Sequence, residues 1–150
     1  MSLKTYIKNR KVKHFSFYGV EIYVKDEITN GISIRNVLKG ISQRVPLELI
    51  KNIDSIYVGQ FDFLKNREVQ AMYENSSIFV TNEQDTALDM IDDIIHEIAH
   101  STEEIFGSLI YSDRKIEKEF LKKREKLWSI LDKKGYNVDL DDFLAPEFSY

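Results

Sequence analysis

From residue 12 to residue 28 the chain reads as extended. Phe15, Phe17, Val20, Ile22 and Val24 are its apolar positions, and Gly19 is the bend between two short strands. A loop at Asn30-Gly31 follows, after which the spacing changes: Ile34, Val37, Leu38 and Ile41 fall on one helical stripe. Pro46 stands where a first helical turn tolerates it and opens a short helix through Leu47, Leu49 and Ile50. Strands are predicted at 55–60 and 69–74, and Asn75-Ser76 turns tightly into a third, Ser77-Ile78-Phe79-Val80-Thr81. Asn82 is expected to cap a long helix, with Glu83 and Asp85 favourable in its first turn and Gly107 at its end. A second long helix, 113–133, carries Ile116, Phe120, Leu127 and Leu131 along one side and stops at Gly135. The tail from Asp139 to Tyr150 mixes acids with Phe143, Leu144 and Phe148. Strands come first and helices later, which predicts an α+β fold rather than a doubly wound sheet.

Composition narrows this picture only a little. At 150 residues, the simplest organisation is a single domain spanning 1–150, large enough to bury a core. An apolar fraction of 43% with 31% charged residues is ordinary for a globular chain. The formal charge of −4 gives no electrostatic reason to expect a nucleic-acid partner, and the basic run from Lys4 to Lys13 reads as a solvated terminus. No signal peptide or membrane-length apolar run is visible, so the expectation is a cytoplasmic protein without a membrane partner. The absence of cysteine has a sharper consequence: any metal must be held by nitrogen and oxygen.

The chemistry sits in the first long helix, at His96-Glu97-Ile98-Ala99-His100. Residues four apart on a helix share a face, so His96 and His100 can reach one metal ion, and Glu97 can act as general base on a metal-activated water. A helix with two surface histidines is the plain alternative. Against it, the chain has only three histidines, and two of them lie beside the apolar stripe of Ile91, Ile94, Ile95 and Ile98. A catalytic zinc usually takes three protein ligands and a water. No histidine lies between Glu104 and Gly107, so the third ligand is expected to be a later carboxylate. Glu117 falls inside an apolar helical face and is the first choice, with Glu119 behind it; an ion pair of Glu117 with Arg124 is the competing explanation. Asp92 or Asp93 can orient an imidazole or simply face solvent, and His14, distant on a predicted strand, reads as an ordinary histidine.

These residues carry a resemblance. H-E-I-A-H on a long helix after an extended strand resembles the zincin metallopeptidases. More narrowly, residues 78–85, 94–100, 110–113 and 116–124 are similar to small metallopeptidases of phages and bacteria, distantly similar to the catalytic domain of anthrax lethal factor. The resemblance implies a zincin-like fold with a small mixed or antiparallel sheet on the active helix. It also implies Zn²⁺ as cofactor and a peptide or protein substrate. It makes the strand before the active helix (Ile78, Phe79, Val80) the sheet edge to which a peptide adds as an extra strand. It places the third ligand on a downstream helix in a segment resembling E-[FY]-F-A, which does not occur before Tyr150. The expectation is therefore either a complete small peptidase using Glu117 or Glu119, or a C-terminally incomplete, zincin-like binding module with a partial metal site.

Overall fold

Strands Lys13–Phe17 (β1) and Val20–Val24 (β2) form the hairpin expected around Gly19. Tyr18 and Gly19 both take positive φ, 50° and 87°, the turn geometry whose twist suits adjacent strands. The computed structural model describes residues 12–136. The tail 139–150 and most of the basic run lie outside the described residues.

Three further strands complete one sheet: Ser55–Val58 (β3), Ala71–Glu74 (β4) and Ser77–Val80 (β5). Their order is β1-β2-β3-β5-β4. The two hairpins are antiparallel, while β2–β3 and β3–β5 pair in parallel, so the sheet is mixed. Among the described residues, five α-helices accompany it: Ile34–Ser42 (α1), Leu47–Ile50 (α2), Asp62–Arg67 (α3), Ala87–Tyr111 (α4) and Lys115–Lys133 (α5). The fold is α+β. Among the described residues, no helix is long and apolar enough to cross a membrane.

Register explains which face of the sheet is the core. Ile22, Ile56 and Ile78 stand opposite one another across β2, β3 and β5, and none is more than 2% exposed. Val37, Leu38 and Ile41 of α1, on the anticipated stripe, join Met90, Ile91, Ile94 and Ile98 of α4 in the same core. At roughly 1.5–3 kcal/mol per fully buried aliphatic side chain, this cluster is the main force holding α4 to the sheet. The opposite face carries an aromatic row in register: His14 stacks on Tyr23 (4.5 Å), Tyr23 on Tyr57 (5.0 Å) and Tyr57 on Phe79 (5.1 Å). Gly40 lets α1 approach α4 closely, since a Cβ there would lie 2.6 Å from Ile91 Cδ1.

Several local expectations change. The helix α3 leaves no mark in the hydrophobic pattern, because Leu64 is its single buried residue and one position expresses no period. Asn82 does not cap α4; its side-chain amide donates to the Glu27 carbonyl (2.8 Å) from a buried position. Thr86 and Asp89 secure the helix start instead: Asp89 Oδ2 accepts from the Thr86 N–H (2.9 Å) while Thr86 Oγ1 accepts from the Asp89 N–H (3.2 Å), the reciprocal pattern of a capping box. Gly107 lies inside α4, which continues to Tyr111. Finally, the chain divides into two compact units, Met1–Phe106 and Gly107–Tyr150, with the boundary inside α4. In the second unit the stripe of α5 is substantially exposed at Ile116, Phe120 and Leu127.

Candidate metal centre

The core stripe of α4 fixes what its neighbouring faces present. With Ile94 and Ile98 buried against the sheet, His96 and His100 emerge one helical turn apart on the exposed flank. Their Nε2 atoms approach to 3.1 Å, with the rings nearly perpendicular at 83°. His100 Nδ1 faces Glu103 Oε2 at 3.6 Å, a carboxylate on the far side of the ring from its partner histidine. The pair is half-exposed, so it contributes little to stability.

Glu97 is different in kind. It is 7% exposed, and its Oε2 accepts a charge-assisted hydrogen bond from the Tyr73 main-chain N–H at 2.7 Å. That N–H is available because, among the described residues, β4 pairs with β5 on one side only. Thr81 N–H donates to the Gln70 carbonyl (2.8 Å), so the alternation of an antiparallel ladder turns the main-chain groups of Ala71 and Tyr73 outward. The strand thus holds the carboxylate through one oxygen and leaves Oε1 outside that bond. Ligand atoms of His96, Glu97 and His100 all lie within 4.8 Å of one another, a group placed to hold a metal ion. Among the described residues this is the group of three or more such side chains.

A groove of ≈ 440 Å³ contains the site and is lined by Arg67, Val69, Ala71, Met72 and Tyr73 together with His96, Glu97 and His100. The Tyr73 hydroxyl lies near Glu104, on the next turn of α4, and near Ser76. Burial raises this phenol above its ordinary range, and the neighbouring carboxylate adds to the effect.

The edge-strand assignment of Ile78, Phe79 and Val80 is corrected by the pairing. β5 is bonded to β3 on one side and β4 on the other, so it has no free edge, and Ile78 and Val80 are fully buried in the core. The strand that borders the metal site is β4. Glu117, the first choice for a third ligand, lies on α5 in the second unit and receives Arg114 Nε at 2.9 Å. This bond to Arg114, rather than to Arg124, holds its carboxyl below the usual range. Glu119 pairs with Lys123 at 2.6 Å, with the same effect on its carboxyl. Asp93 accepts from Gln84 Nε2 (3.1 Å), and burial raises its carboxyl. His14 bonds Glu21 and stacks on Tyr23, the ordinary role expected of it.

Sequence reasoning missed Tyr73, Arg67 and Glu104. Glu104 carried a usable signal, since it follows His100 by four residues and helical spacing sets both on one face. Tyr73 carried none, because it acts through its backbone. Comparison of the chain with protein families, with curated proteins and with solved structures returned no match.

Proposed function

We propose that this chain is a zinc-dependent peptidase of zincin type, with His96 and His100 as metal ligands and Glu97 as general base. The observation that carries the reading is the Nε2–Nε2 separation of 3.1 Å with a buried carboxylate alongside. Two imidazoles on a tetrahedral zinc, each at about 2.05 Å, stand roughly 3.3 Å apart. Imidazole and carboxylate donors without thiolate also suit that ion. When bound, zinc supplies Lewis acidity, activating water and polarising a carbonyl at neutral pH.

The chain's own residues supply the rest. Glu97 takes a proton from the attacking water and returns it to the leaving amine, and the Tyr73 N–H keeps the carboxylate aimed while it does so. The outward N–H and C=O of Ala71 offer a peptide main chain one antiparallel pairing site, so the substrate adds to β4 beside the metal ligands. At Tyr73 the N–H belongs to Glu97, and pairing through that donor stops there. The closed side of the groove is the core helix itself, which holds base and ligands in fixed register.

A second reading follows from the same ligand set: two imidazoles with no third ligand beyond Glu97 among the described residues also fit a metal-binding module without turnover. Hydrolysis of quenched fluorescent peptides separates the two. The peptidase reading expects zinc-dependent cleavage that chelators stop and Glu97→Gln reduces by about a thousandfold or more. Cleavage that persists in Glu97→Gln removes the mechanism; zinc binding without cleavage selects the binding module.

A further inference from the structure

Arg67 lines the groove that holds His96, Glu97 and His100, yet it belongs to neither the metal group nor the general base. It ends α3 and leads, through Glu68 in a left-handed conformation (φ 56°), into the strand that borders the site. Its Nη1 donates to Met72 Sδ at 3.1 Å, and a thioether is a weak acceptor. No carboxylate among the described residues pairs with it. Glu68, its neighbour in sequence, lines a different recess with Phe61 and Lys65. The guanidinium is therefore charged, exposed and largely uncommitted, with a planar fork of donors matched to a carboxylate.

The groove's lining has a single acid, Glu97, whose carboxylate is already bonded to the Tyr73 N–H. With a divalent ion on His96 and His100, the residues that line the groove are net positive, and Glu103 and Glu104 stand beside that lining. We propose that Arg67 is a substrate-binding residue that selects a carboxylate on the peptide lying along β4. The carboxylate is an internal Asp or Glu side chain, or the free C-terminus. The proposal rests on the peptidase reading for the peptide's path but not for the charge preference itself. A peptide paired at Ala71 passes the Arg67 guanidinium, which lies against Met72 of the same strand, so one main-chain pairing and one bidentate ion pair fix its position together.

Retention of short randomised peptides on the immobilised Glu97→Gln chain in the presence of zinc, read by mass spectrometry, tests the assignment. One arm uses C-terminal acids and the other C-terminal amides. The expected result is an enrichment of carboxylate-bearing peptides of about tenfold over input. It should be lost when Arg67→Glu is added and partly kept with Arg67→Lys. Enrichment of Asp and Glu in the amide arm identifies an internal side chain; enrichment confined to the acid arm identifies the C-terminus. No carboxylate enrichment, or enrichment indifferent to Arg67→Glu, overturns the proposal. Hydrolysis by the unsubstituted chain is measured in parallel. Arg67-dependent retention without cleavage keeps the carboxylate site and removes the peptidase reading; cleavage without charge preference does the reverse.

Discussion

Tyr73 meets the site in two separable ways, a main-chain N–H bonded to Glu97 and a hydroxyl lying near Glu104, and variants can remove them one at a time. Tyr73→Pro deletes the N–H at an outer-strand position where proline is tolerated, so the protein should fold while Glu97 loses its anchor. Peptide kcat/KM should fall about tenfold or more. Tyr73→Phe keeps the N–H and should change kcat/KM far less; equal losses in the two variants would contradict a backbone role. Asp93 gives a pH signature. Its carboxyl is raised in the folded state chiefly by burial, so the folded protein holds that proton more readily than the unfolded chain. The group therefore costs stability above the carboxylate range, and the cost disappears as pH falls through it. Asp93→Asn, which keeps an acceptor for Gln84, should raise the melting temperature at neutral pH, with the gain vanishing in acid. A gain that grows on acidification would have the wrong sign. At this scale the sequence was informative where side chains act and silent where backbone does. His96, Glu97 and His100 announce themselves by spacing, but the N–H holding Glu97 has no residue-type signature.

The two faces of β5 make different demands on adjacent residues. Ile78, in the core row with Ile56, is fully buried, whereas Phe79 lies in the half-exposed aromatic row against Tyr57. Ile78→Ala should cost about 2–5 kcal/mol in denaturant unfolding, and Phe79→Leu about 1 kcal/mol. A larger loss at Phe79 than at Ile78 would mean that the wrong face has been identified as the core. Helical elements were the most legible, because their period is local: the stripes of α1 and α4 became buried surfaces at the positions they mark. Sheet order was not legible. β4 and β5 form a hairpin, and which of them lies outside depends on which meets β3, a partner some 20 residues away in sequence. One clue was present, since Ser77–Val80 carries a continuous apolar run with two β-branched residues, Ile78-Phe79-Val80, of the kind that marks an interior strand, whereas Ala71–Glu74 has no β-branched residue and ends on a charge. The resemblance to zincins pointed the other way because it assigned the edge by proximity to the active helix in sequence.

Across the whole molecule, the unit boundary inside α4 falls, along the sequence, between the metal group and the carboxylates expected to supply its third ligand. His96, Glu97 and His100 belong to the unit Met1–Phe106, and Glu117 and Glu119 to the unit Gly107–Tyr150. Both carboxylates already have cationic partners. Coordination should therefore survive their loss: Glu117→Gln is expected to leave zinc affinity within about threefold, and a loss of a hundredfold would assign Glu117 to the metal after all. Because the two imidazoles are brought to 3.1 Å only by the folded helix, zinc should also stabilise the fold, by about 2.7 kcal/mol at a hundredfold excess over Kd. The central claim is that His96 and His100 form one metal site. Calorimetric titration of the metal-free chain with zinc tests it most directly. About one zinc per chain, with binding abolished in His96→Ala and in His100→Ala but retained in Glu97→Gln, is the predicted result. Zinc binding of unchanged stoichiometry and affinity in both histidine variants would contradict it.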